Sequence, residues 1–120
     1  ELIKDPETRV RSSAANALGN INSEKAITDL LKLLKDSEFI MRSSAANALG
    51  NIGAEAAITD LLELLKDSES DVRSKAADAL DKIDKKTHSV VINLSQWINE
   101  NQDSEYIEDG IDLLWELVCS

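Results

Sequence analysis

Three arginines, Arg11, Arg42 and Arg73, stand 31 residues apart. A guanidinium carries donors in a planar fork that can hold carboxylate or phosphate bidentately, so a periodic row of them could grip an extended anion. Asp5, Asp36 and Asp67 recur at the same interval. Each arginine is therefore expected to pair with a turn aspartate or a neighbouring carbonyl, as a structural device. The other reactive side chains are solitary. His88 is the one histidine and Cys119 the one cysteine, whereas a zinc site or an activated nucleophile needs several such groups converging. His88 is read as a solvated linker residue and Cys119 as a thiol without a partner. No glycine-rich phosphate loop occurs, and Asn93-Leu94-Ser95 has the form of a glycosylation acceptor but falls inside an expected helix. Trp97 and Trp115 lie on apolar stripes, where they are expected to fill the tapering end of a core. No catalytic residue, cofactor or metal site is assigned, and the chain is read as non-enzymatic.

Charge narrows the partners. The 120 residues carry a formal net charge of −10, and no Lys or Arg follows Lys86. Affinity for nucleic acid rests mainly on Lys and Arg neutralising phosphates, so nucleic acid is not an expected partner. No apolar run approaches the roughly 20 residues that span a bilayer, and the first residues, Glu1-Leu2-Ile3-Lys4, lack the basic and apolar regions of a signal peptide. A single cysteine forms no internal disulfide, which fits a reducing compartment, and a cytoplasmic location is expected.

The elements that would position these residues come from a repeat. Arg11 to Ile21 returns unchanged as Arg42 to Ile52 and in altered form as Arg73 to Ile83, and residues 5–35 and 36–66 are identical at 23 of 31 positions. A fixed period of this size marks stacked units that bury their core against one another. Val10, Ala14, Ala17, Leu18 and Ile21 follow helical spacing, as do Met41/Ala45/Ala48/Leu49/Ile52 and Val72/Ala76/Ala79/Leu80/Ile83; these are the A helices. Ile27, Leu30, Leu31 and Leu34, echoed by Ile58, Leu61, Leu62 and Leu65, define B helices. Aspartates 5, 36 and 67 are expected to cap the A helices, and Asn16, Asn47 and Asp78 to form a hydrogen-bond ladder between units. The fold class is all-α, an α-solenoid of antiparallel helix pairs in one domain. Residues 1–4 read as the end of an upstream B helix, so the segment reads as cut from a longer array. The units then run 5–35, 36–66 and 67–102, the third with a link two residues longer around Asp84 to His88. Residues 103–120 form an atypical capping helix with Ile107, Ile111, Leu114 and Val118 as its stripe and Gly110 at a close helix contact. The missing neighbour would leave Leu2, Ile3, Val10 and Ile27 uncapped, which predicts self-association through the N-terminal end.

The repeated phrase resembles the HEAT-like repeats of the short type found in phycobilin lyases. It is carried by Asp-x-Glu, then Val10-Arg11, Met41-Arg42 or Val72-Arg73, then Ala-Ala-x-Ala-Leu-Gly-x-Ile and Ala-Ile-x-x-Leu-Leu-x-Leu-Leu. The resemblance covers residues 1 to about 86 and implies a convex A side and a concave B side, with the concave side usually binding protein. Such repeats also occur in bilin lyases, in sensor arrays of large signalling ATPases and in a group of DNA glycosylases. A bilin lyase-like module or a regulatory array of a signalling ATPase is accordingly the alternative to a scaffold.

Positions that differ between near-identical units were free to serve a partner. On the B helices these are Lys25, which becomes Ala56, and Lys32, which becomes Glu63; Gln96 is the counterpart of Glu63 in the third unit. Spacing puts them beside Thr28, Asp29, Thr59, Asp60 and Asn93, and this set is the expected protein-binding face. Phe39 and Ile40, where the first unit has Thr8 and Arg9, are a second candidate, an apolar patch.

Overall fold

A computed structural model describes residues 6–18, 20 and 23–119, without the side chains of 6–9, 11 and 18. The expectations for residues 1–5, for Ile21 and for the Arg11 side chain lie outside the described residues. Among the described residues seven α-helices follow in order: α1 (Pro6–Leu18), α2 (Glu24–Leu33), α3 (Phe39–Ile52), α4 (Ile58–Glu63), α5 (Ser70–Thr87), α6 (Val90–Glu100) and α7 (Ile107–Cys119). No strand occurs among the described residues. The A helices stack on one another, α1 on α3, α3 on α5 and α5 on α7, while α4 packs on α6. Each B helix also touches the A helix that follows it: α2 on α3, α4 on α5 and α6 on α7. The result is an all-α solenoid.

Small residues let the A helices approach closely. Ala45, Ala46 and Ala48 of α3 and Ala76 and Ala79 of α5 are buried, and Gly50 sits where a methyl group would meet the Ala79 backbone, 2.7 Å from its Cα. Leu30, Leu61, Leu65, Leu80 and Leu94 fill the layer between A and B helices. Arg42 behaves as its sequence position suggested. Its Nε and Nη2 donate to the two carboxylate oxygens of Asp67, at 2.8 and 3.1 Å, and its Nη1 donates to the carbonyls of Asp36 and Ser37. Arg73 has a poorer set: a bond from Nη1 to the Asp67 carbonyl, the Tyr106 ring at 4.4 Å, and Asp109 Oδ2 at 3.9 Å.

Asp36 and Asp67 do not cap helices. Asp36 and Asp67 lie two residues before the N-caps Glu38 and Glu69, and each accepts from the backbone N–H of that glutamate at 2.9 Å. This is an Asx turn, which aims the Asp67 carboxylate back at Arg42. The asparagine ladder is also replaced. Asn16 and Asp78 are exposed, and the side-chain bonds between units include, beside the Arg42–Asp67 pair, Ser12 to Ser44 (2.7 Å) and Lys82 to Asn51 (2.9 Å).

Local chemistry sets the helix ends. Ser23 caps α2 by accepting from Ala26 N–H; its counterpart Ala54 has no side-chain oxygen, and α4 is entered through a 3-10 turn, Glu55–Ala57. Gly53 ends α3 in the left-handed region at φ 76°, closing bonds back to Leu49 and Gly50, a conformation glycine adopts freely. Asp84 stands one period later, so the stop is deferred. The expected link around Asp84 to Thr87 is instead a further helical turn of α5, and His88 takes the left-handed position at φ 57°. His88 is thus the C-cap residue of α5. The added turn carries Lys86 to the carbonyls of Asn51 and Ile52 at the end of α3, where the helix dipole favours a cation.

The terminal helix turns differently from its expected stripe. Gly110, Leu113 and Leu117 are its buried residues, whereas Ile111 and Val118 are exposed and Trp115 is 71% exposed. Trp115 therefore does not fill the core. The apolar arc of α7 is wider than α5 and α6 can cover, so one edge of it faces solvent. Trp97 does fill the core, at 4% exposure. Gly110 makes the expected close contact, since a Cβ there would lie 2.6 Å from Trp97 Cζ3.

Candidate protein-binding face

The B helices present their polar residues outward because Leu30, Leu61, Leu65 and Leu94 hold the opposite face against the A helices. On α2, Lys25 is exposed and its Nζ lies 3.9 Å from Asp29 Oδ2, Thr28 Oγ1 donates to the Glu24 carbonyl at 2.9 Å, and Lys32 is exposed. In the next unit Ala56 is exposed in the 3-10 turn, Thr59 and Glu63 are exposed on α4, and Asp60 is half-buried. Asn93 and Gln96 are exposed on α6, where Asn93 Nδ2 donates to the Ser89 carbonyl and Gln96 Nε2 to Glu100 Oε2.

Four of these residues meet. Thr59 and Glu63 from α4 and Asn93 and Gln96 from α6 line a cleft of about 170 Å³, with Leu62, Trp97 and Glu100 completing it. Lys25, Thr28, Asp29, Lys32, Ala56 and Asp60 are not part of that cleft. Phe39 and Ile40, in the first turn of α3, are each half-buried. Among the described residues, the large apolar side chains that do reach solvent are Val10, Ile92, Ile111, Trp115 and Val118.

Trp97, Leu62 and Glu100 were not singled out from the sequence as surface residues. Leu62 and Trp97 belong to apolar stripes and are 4% exposed each, so periodicity marks them as core and conceals that they floor a cleft. Glu100 had a usable signal, since it lies four residues after Gln96 and hence on the same helix face.

A second cleft, of about 400 Å³, separates α5 from α7. Arg73, Ser70 and Ser74 line one wall and Asp109, Asp112 and Glu116 the other. It exists because Ala77, the counterpart of the buried Ala46, is only half covered by the rotated α7. Among the described residues, no helix is long and apolar enough to cross a membrane, and no group of three or more His, Cys, Asp or Glu side chains is placed to hold a metal ion.

No curated protein matches the sequence. The family model described as HEAT repeats matches residues 1–81 and again residues 29–114. Those overlapping matches take in the stacked A and B helices from α1 through most of α7, and the chain belongs to the HEAT-repeat family.

Proposed function

We propose that the chain is a protein-recognition scaffold whose partner lies across the B-helix face, centred on α4 and α6. HEAT repeats generally mediate protein–protein contacts; the observation that carries this placement is the convergence of Thr59, Glu63, Asn93 and Gln96 on one cleft. Glu63 and Gln96 occupy a position that changes in every unit while the buried leucine behind it, Leu30, Leu61 or Leu94, is kept, which is the pattern of a stack retained for its fold and varied for its partner. Lys25, Thr28, Asp29, Lys32, Ala56 and Asp60 extend the same outward face along α2 and α4. A photo-crosslinking side chain at Glu63 or Gln96 is expected to trap a protein partner in an extract of the source cells, and one at Lys75 or Asp78, exposed on α5, to trap none. Adducts formed equally at all four positions would overturn this placement.

A second reading, self-association through α1, has its own observation. Val10 is 67% exposed, and Ala14 and Ala17 are exposed, although their counterparts Met41, Ala45 and Ala48 are buried in α3. The same letters that form a helix interface in one unit face solvent in another, and an A helix of a second copy matches them in chemistry and shape. Light scattering across a concentration series is expected to show a dimer that Val10→Glu abolishes. A monomer at every concentration, or a dimer indifferent to Val10→Glu, would remove this reading.

A further inference from the structure

We infer that the chain associates head to tail, the exposed stripe of α1 in one copy seated on the exposed stripe of α7 in the next. The inference rests on the reading of self-association through α1 and names the surface that α1 meets.

Both helices leave an apolar stripe in solvent at the same spacing. On α1 it is Val10, Ala14 and Ala17, and on α7 it is Ile111, Trp115 and Val118, all exposed. Each set falls at i, i+4 and i+7 and so on one helix face. Neither stripe is the one that holds its helix in the fold: Ala15 of α1 and Gly110, Leu113 and Leu117 of α7 are buried instead. The two helices are the outer members of the row in which α1 packs on α3, α3 on α5 and α5 on α7. In α3 the counterparts of the α1 stripe, Met41, Ala45 and Ala48, are covered by neighbouring helices. The fold itself thus shows that another helix fits this face.

Shape and charge select α7 as that helix. Against a second α1, alanines would meet alanines and bury little apolar area. Ile111 and Trp115 bring large side chains to a surface kept low by Ala14 and Ala17, and association strengthens with the apolar area removed from water. Two α7 helices repel each other. Each carries Glu108, Asp109, Asp112 and Glu116 with no Lys or Arg, and residues 89–120 hold seven acids without a base. Residues 1–35 hold six Lys and Arg against five Asp and Glu, so the first unit meets the acidic end without that repulsion. A contact between two different faces leaves a free α1 and a free α7 on every dimer, which makes the dimer the shortest member of an open row.

Two substitutions at exposed positions test this, Val10→Glu and Trp115→Glu. In sedimentation velocity each variant alone is expected to associate about tenfold or more weakly than the wild type, the effect of forcing an unpaired carboxylate into an apolar contact. An equimolar mixture is expected to form a one-to-one pair of near wild-type affinity that does not grow, because each variant keeps the face that the other lacks. Pairing in the mixture also shows that both variants are folded. In ¹H–¹⁵N spectra of the wild type, the Trp115 indole N–H signal is expected to move with concentration and that of Trp97, 4% exposed, to stay. Trp115→Glu that still associates alone while Val10→Glu does not would overturn the inference and keep an α1–α1 contact. A mixture that fails to pair, or a Trp115 signal indifferent to concentration, would also overturn it. A wild type that is monomeric at every concentration would remove the α1 reading and this inference together.

Discussion

Arg42→Ala is expected to cost about 2–4 kcal/mol of folding free energy, somewhat below the 3–5 kcal/mol typical of breaking a fully buried ion pair. The guanidinium makes four hydrogen bonds, two of them to Asp67, and the two side chains are only 15% and 9% exposed. Removing it strands a carboxylate that water reaches poorly and frees two carbonyls of the preceding turn. Arg73→Ala is the internal control. That arginine occupies the same place in its unit but has one carbonyl bond, a stacked Tyr106 and a loose approach to Asp109, so the expected loss is about 1 kcal/mol. Urea denaturation of both variants measures the difference. Equal losses would mean that the Arg42–Asp67 link does not join adjacent units in the way its geometry indicates. Arg42→Lys should recover little, because an ammonium cannot span both Asp67 oxygens and the carbonyls together.

Gly50→Ala, a change that ordinarily strengthens a helix by about 1 kcal/mol, is expected here to destabilise by about 1–3 kcal/mol, as overpacking does. The added methyl would lie 2.7 Å from Ala79 Cα and 2.9 Å from Ala79 Cβ. A flexible side chain could yield, but a backbone atom of a packed helix moves only with its helix, so α3 and α5 must separate. Thermal melts would show it. The double variant with Ala79→Gly removes the opposing methyl but leaves the nearer obstacle, the backbone of α5, in place, so it should recover only part of the loss. Full recovery would place the strain elsewhere.

The two results bear on what the sequence disclosed. The A and B helices were legible because Met41, Ala45, Leu49 and their counterparts repeat a spacing that only a helix satisfies. The Arg42 pairing was legible because Asp67 shares its period. The close approach at Gly110 was legible because glycine inside a helix usually marks one. Helix ends were less so: the effect of replacing Gly53 by Asp84 appears only when the extra turn of α5 is seen to deliver Lys86 to the end of α3. The orientation of α7 was not legible. Its sequence is apolar over an arc that includes Ile107, Ile111, Leu114 and Val118 as well as Gly110, Leu113 and Leu117, and packing against α5 and α6 selects the second set. Trp115 followed that rotation into solvent. In the candidate face, repeat comparison found Thr59, Glu63, Asn93 and Gln96 but could not show that Trp97 lies beneath them, because spacing marks a stripe residue as core whether or not it also floors a cleft.

The central claim is that protein recognition belongs to the B-helix face at α4 and α6. It is tested most directly by the affinity of the partner trapped at Glu63 or Gln96 for two charge-reversal variants, Glu63→Lys on that face and Lys75→Glu on the exposed side of α5. Both are exposed substitutions, expected to change stability by no more than about 0.5 kcal/mol. Glu63→Lys is predicted to lower the affinity by about tenfold or more, because it reverses the charge at the centre of that face, and Lys75→Glu to leave it unchanged. Equal affinities for the two variants would contradict the account.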